Sequence, residues 1–325
     1  MINRGMGIAT IDPRRRILAA FAVGLAATVG PALVSPASAD IATIDDFSVS
    51  RGGATVFNDS FAETQTLAGG AIPGQVLPTG LTFSDGSPAS YAVIGTLQET
   101  GSKGVLNTAN GALAAGPFPT TPSILLNNVD LVTGPPGGAF ALTPNTMFTT
   151  TALFDLTVPQ AGGFYQLELS DRVPSNFGMG DVLSVQVDTC NPTVDTCTPG
   201  SHRVLLANVD FATGTGETIG LFPLDTSNQQ IFLELSHPVA GDPTVYGYYA
   251  YVNGGVEGPL VPLGSFAGLF DNLSYTQAGF TQVLQLPVPM PEPSTLLLLT
   301  SSIAAVAGVV WFGRRMTPRS HEWRG

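Results

Sequence analysis

Alternation of apolar and polar residues with a period of two dominates the chain. Residues 164–170 read FYQLELS, with Tyr165, Leu167 and Leu169 set against Gln166 and Glu168. Residues 182–188 place Leu183, Val185 and Val187 on one face, and residues 231–236 do the same with Ile231, Leu233 and Leu235. Successive strand side chains point to opposite sides, so this pattern predicts strands with one face on a core and one toward water. Further strands are predicted over residues 41–50, 81–84, 91–97, 123–131, 147–158, 203–211, 246–252 and 269–276. Gly, Pro, Asn and Asp clusters such as GPPGG (134–138) and NGG (253–255) separate them as turns. Residues 278–290 predict one more edge strand at most. No long amphipathic helix is predicted between residues 40 and 290. The expectation is an all-β chain, an antiparallel, jelly-roll-like β-sandwich over residues 40–286.

The two ends follow a different pattern. Arg14, Arg15 and Arg16 precede an apolar stretch over residues 17–34, and Ala37-Ser38-Ala39 follows it. That order of basic, apolar and small residues predicts a signal peptide over residues 1–39, removed by signal peptidase after Ala39. At the other end Pro291, Glu292 and Pro293 precede an apolar run over residues 296–312, and Arg314 and Arg315 follow at once. Proline disfavours helix in the approach. The run is long enough for a transmembrane helix over residues 295–313. The arginines hold its far end in the cytoplasm.

Triplet, helix and arginine cluster at the C-terminus resemble the PEP-CTERM sorting signal of exported bacterial proteins. The resemblance covers residues 291–315, within a tail of residues 287–325. It implies an exosortase-type membrane protease as a partner, transient anchoring in the inner membrane, and delivery to the cell surface or an exopolysaccharide matrix. It implies nothing about the body of the chain.

Composition narrows the function of that body. Residues 40–290 hold four basic and 21 acidic residues, a net charge of −17. Such a surface repels nucleic acid and anionic membranes. Cys190 and Cys197 are an even pair in an exported chain, so a disulfide is predicted.

Catalytic signatures are missing from the sequence: there is no G-x-S-x-G elbow, no Walker loop and no H-E-x-x-H. His202 and His237 read as surface-loop histidines. Glu168 and Glu234 read as solvent-facing members of alternating strands; the other reading is a carboxylate pair across a sheet, which would suit the rival function of a polysaccharide-active hydrolase. Four tyrosines crowd VYGYYAYV, and Tyr249 with Tyr251 is the candidate sugar-binding pair. Cross-strand packing is the other reading of those rings. Asp45 and Asp46 open the domain, and Asp271 and Asn272 close it. These ends loosely resemble those of bacterial jelly-roll modules, which implies a structural calcium where the ends meet. The alternative is that the four residues are turn formers. The expected role is a non-catalytic binding or structural protein of the exopolysaccharide layer.

Overall fold

The computed structural model describes residues 40–114, 124–133, 139–171, 181–190, 197–210, 215–268 and 277–285. The signal peptide expected over residues 1–39, with Ala37 and Ala39, lies outside the described residues. So do the tail with Pro291, Glu292, Pro293, Arg314 and Arg315, and the helix expected over 295–313. Among the described residues no helix is long and apolar enough to cross a membrane.

The described chain is almost entirely antiparallel strand. In order the strands are β1 (Ile41–Arg51), β2 (Ala54–Asp59), β3 (Gln65–Thr82), β4 (Pro88–Glu99), β5 (Gly104–Asn107), β6 (Ala112–Ala114), β7 (Ile124–Leu131) and β8 (Phe148–Asp155). There follow β9 (Gly163–Ser170), β10 (Val182–Thr189), β11 (His202–Asp210), β12 (Thr215–Pro223), β13 (Gln230–His237), β14 (Val245–Asn253), β15 (Val256–Glu257), β16 (Val261–Phe266) and β17 (Gln277–Gln285). One layer runs β2–β1–β8–β13–β14–β16. The other runs β3–β4–β7–β17–β9–β10–β11–β12. The short strand β5 pairs with β1 on one side and β4 on the other, joining the layers.

The apolar faces of the two layers meet in one core. Phe47 of β1 and Phe280 of β17 lie in opposite layers, with ring centroids 5.3 Å apart edge to face. Phe57, Phe61 and Tyr91 complete the aromatic cluster around them. This arrangement is the β-sandwich that the alternating pattern predicts. Each fully buried phenylalanine contributes roughly 1.5–3 kcal/mol relative to exposure.

Gly95 explains how β4 serves both layers. Residues 91–94 pair with β7, whereas residues 97–99 pair with β5. The change of partner falls at Gly95, whose φ is +73°. A Cβ there would collide with Asn127 Oδ1 and the Leu126 carbonyl. Only glycine takes this backbone conformation without strain and leaves room for β7.

Several expectations need correction. The edge strand expected after residue 278 is β17, a central strand between β7 and β9. Its residues Gln277, Thr281 and Gln282 are buried, so polar side chains there do not mark an exposed edge. His237 is fully buried at the end of β13 rather than in a surface loop. Its ring stacks on Phe148, and its nitrogens face the carbonyls of Thr146 and Asp242. Asn208, near the end of β11, lies opposite Glu217 of β12. Strands β2, β12, β16 and most of β3 had no clean alternation to announce them. The strand expected over 269–276 lies outside the described residues. The disulfide is as predicted: Cys190, just past β10, is bonded to Cys197, with Cα atoms 6.1 Å apart.

Candidate functional site

The pairing register builds a continuous outward face on the first layer. One row runs Ser48, Thr151, Glu234, Tyr248; the next runs Ser50, Thr149, Ser236, Tyr246. Hydroxyls bridge neighbouring strands within these rows. Ser48 Oγ lies 2.9 Å from Thr151 Oγ1, and Thr149 Oγ1 lies 3.2 Å from Ser236 Oγ. At one end the rings of Tyr246 and Tyr248 lie nearly parallel, 26° apart in plane with centroids at 6.5 Å. Strand geometry imposes this, because residues two apart share a face. Burial raises the Glu234 carboxyl pKa, and the nearby Glu257 charge adds to it.

Tyr249 and Tyr251 take the opposite face of β14. Tyr249 is 6% exposed and belongs to the core, and Tyr251 packs against it edge to face at 5.5 Å. The Tyr251 hydroxyl accepts a hydrogen bond from the Asp225 amide at 2.7 Å. Gly247 shares this inward face. A Cβ on it would come within 2.6 Å of Leu206 Cδ1 from the other layer, so glycine lets the layers approach. The outward pair is therefore Tyr246 and Tyr248. Both parities of the sequence carry two tyrosines, so alternation alone does not choose between them.

Asp45 and Asp46 point to different partners. Asp45 sits at a bulge in the β1–β8 pairing. Its carboxylate meets Lys103 Nζ at 2.8 Å, and Lys103 also reaches Asp155 at 2.5 Å. Gln230 Nε2 donates to the other Asp45 oxygen. Here an ammonium group already supplies the positive charge. Asp46 bonds to the Asn58 side chain, and burial raises its pKa. Asp271 and Asn272 lie outside the described residues.

A second acidic group forms where β2, the start of β3 and the end of β4 converge. Carboxylate oxygens of Asp59, Glu63 and Glu99 all lie within 4.8 Å of one another. Asp59 and Glu99 are each 1% exposed. Asp59 Oδ1 accepts the Phe61 amide at 2.7 Å, a turn that holds Phe61 at φ +52°. Asp59 Oδ2 accepts the Tyr91 hydroxyl at 2.7 Å. Glu99 Oε1 accepts from Gln65 Nε2 at 3.1 Å, while Glu99 Oε2 is buried with no hydrogen-bond partner. Burial, reinforced by the charges of Asp59 and Glu63, pushes the Glu99 pKa up to about 7 despite the Gln65 bond. Burial likewise raises Asp59, against the hydrogen bonds from Tyr91 and Phe61. The sequence offers Asp59 and Glu63 four residues apart. Glu99 joins them through the β3–β4 register, in which Gln65 faces Glu99.

Glu168 and Glu234 are not brought together as a pair, and Glu168 is fully buried rather than solvent-facing. Glu168 is buried in β9, bonded by Asn128 Nδ2 at 2.7 Å and by Gln166. Glu234 lies in the other layer, and both alternate with core leucines, so they face away from each other. His202 Nδ1 lies 2.8 Å from Thr189 Oγ1, beside the disulfide. Asp40, the residue expected to lead the mature chain, is tied down: its amide donates to Thr108 Oγ1 at 2.8 Å, and its carboxylate accepts the Gln160 amide. It borders a cavity of about 270 Å³ shared with Gln160, Phe164 and Tyr165.

No protein-family model matches the chain, and no curated protein matches it.

Proposed function

We propose that this protein is exported, sorted by its PEP-CTERM-like tail to the cell surface or extracellular matrix, and there binds exopolysaccharide without cleaving it. The observation that carries the binding role is the outward pair Tyr246 and Tyr248 beside two rows of serine and threonine hydroxyls. Aromatic faces stack on the apolar faces of sugar rings, and hydroxyls exchange hydrogen bonds with sugar hydroxyls. The domain's charge of −17 favours a neutral glycan or one held through cations. The jelly-roll reading of the sandwich draws support from β7, β8 and β9, which alternate between layers, whereas β9 to β12 follow one another within a single layer.

The test is a glycan-array and exopolysaccharide pull-down screen with the full chain. Binding that falls tenfold or more in Tyr246→Ala/Tyr248→Ala, a change of about 1.4 kcal/mol, supports the reading. No glycan bound, or equal binding by the double variant, sinks it. Release of shortened oligosaccharides would support the hydrolase instead. Sorting is tested separately. Glu292→Ala, or neutral residues at Arg314 and Arg315, should hold the full-length chain in the inner membrane. Normal delivery of these variants to the surface would remove the sorting reading.

A further inference from the structure

We infer that Asp59, Glu63 and Glu99 bind a single calcium ion. Three carboxylates from three separate chain positions converge within 4.8 Å, and two of them are almost completely buried. Carboxylates in such a place carry a desolvation cost of several kcal/mol each unless a positive charge compensates them. The described ion pairs of Lys103 and Arg203 go elsewhere, to Asp45, Asp155 and Asp188. The independent sign of a ligand is Glu99 Oε2. It is buried and without a hydrogen-bond partner, while its sister oxygen and both Asp59 oxygens have theirs. Buried acceptors left bare are rare in folded proteins, and a bound cation is one of the standard reasons for one.

The donor set selects the ion. All three side chains offer oxygen, which suits a hard cation rather than zinc or copper. They come from dissimilar places, with Asp59 and Glu99 at the ends of β2 and β4 and Glu63 in the connection between β2 and β3. Calcium accepts six to eight oxygens in flexible arrangements, whereas magnesium demands a near-ideal octahedron. Glu63 is partly exposed, so water has a route to the remaining positions. Asp46 adds negative potential from the next strand, since its charge acts on Asp59. The ion would tie β2 to the start of β3 and the end of β4, beside the β4–β5 hairpin that joins the two layers. This site is separate from the tyrosine face, and the inference stands without the glycan reading.

Calorimetric titration of chelator-stripped full chain with calcium chloride, and then with magnesium chloride, decides it. The expected result is a calcium site at these carboxylates with a dissociation constant on the order of 10⁻⁴ M, as in extracellular calcium modules. Magnesium should bind at least tenfold more weakly. Saturating calcium should raise the melting temperature by roughly 5 °C. Glu99→Gln and Glu63→Gln should each weaken calcium tenfold or more, while Glu217→Gln, an exposed control on β12, should leave it unchanged. Glu63 is the partly exposed member, so its variant keeps the test intact should Glu99→Gln fail to fold. Absence of calcium binding overturns the inference. So does calcium binding that both variants retain, or magnesium binding of equal strength.

Discussion

Tyr91 gives its hydroxyl hydrogen to Asp59 Oδ2 across 2.7 Å, deep in the sandwich. Tyr91 is fully buried in the aromatic cluster, with its ring 6.0 Å from Phe280. One side chain thus links the apolar core to the acidic group at its rim. Tyr91→Phe keeps the ring and removes the donor. The expected cost is about 1–3 kcal/mol, because a buried carboxylate oxygen loses its partner. The loss should be greater at pH 8 than at pH 5, since the hydrogen bond favours the ionised carboxylate. Urea denaturation at the two pH values measures it.

Glu99 makes the metal-free protein sensitive to pH in a defined direction. Its pKa rises from the ordinary 4.5 to about 7 on folding, chiefly through burial. A raised folded-state pKa contributes stability that is full below the unfolded value and is lost as pH rises through the folded one. In chelator, stability should therefore fall between about pH 4.5 and pH 7. Glu99→Gln should flatten that slope, by up to about 3 kcal/mol at pH 8. Melting curves across this range, with and without the substitution, give the answer.

Gly95→Ala should destabilise the fold by about 2 kcal/mol or more. The residue adopts a left-handed conformation, and the added methyl meets the Asn127 side chain. Gly86, equally left-handed but with open space around it, is the control, and its alanine variant should cost less. Chemical denaturation of the two variants separates strain from collision.

Phe280→Ala should cost about 3–5 kcal/mol, as expected for a large ring removed from a close-packed core. Phe280 touches Phe47, Phe61 and Tyr91, so the cavity opens between the layers. A loss well under 1 kcal/mol in urea denaturation would mean that the layers do not meet there.

Breaking the disulfide should cost less. The Cys190–Cys197 loop is short, with a sequence separation of 7. The chain-entropy model gives roughly 3 kcal/mol for a 15-residue loop and less for this one. Mass spectrometry of unreduced protein should show the loop two hydrogens lighter, and Cys190→Ser/Cys197→Ser should still fold.

The sequence by itself determined the fold class and much of the strand set. Segments such as 164–170, 182–188 and 231–236 show their core faces because a strand exposed on one side must alternate. It also paired the cysteines, since two cysteines leave one intramolecular pairing. Tertiary structure decided what alternation cannot encode. The strand β17 is covered on both faces, so its glutamines read as surface while lying in the centre of a layer. Tyr246 and Tyr248 face outward because Gly247 and Tyr249 face the second layer. Glu99 reaches Asp59 and Glu63 across an irregular β3–β4 register that no local propensity specifies. Periodicity is a property of one strand and its environment. Which carboxylates and rings become neighbours depends on register and on the packing of layers, which are long-range and form only when the chain folds.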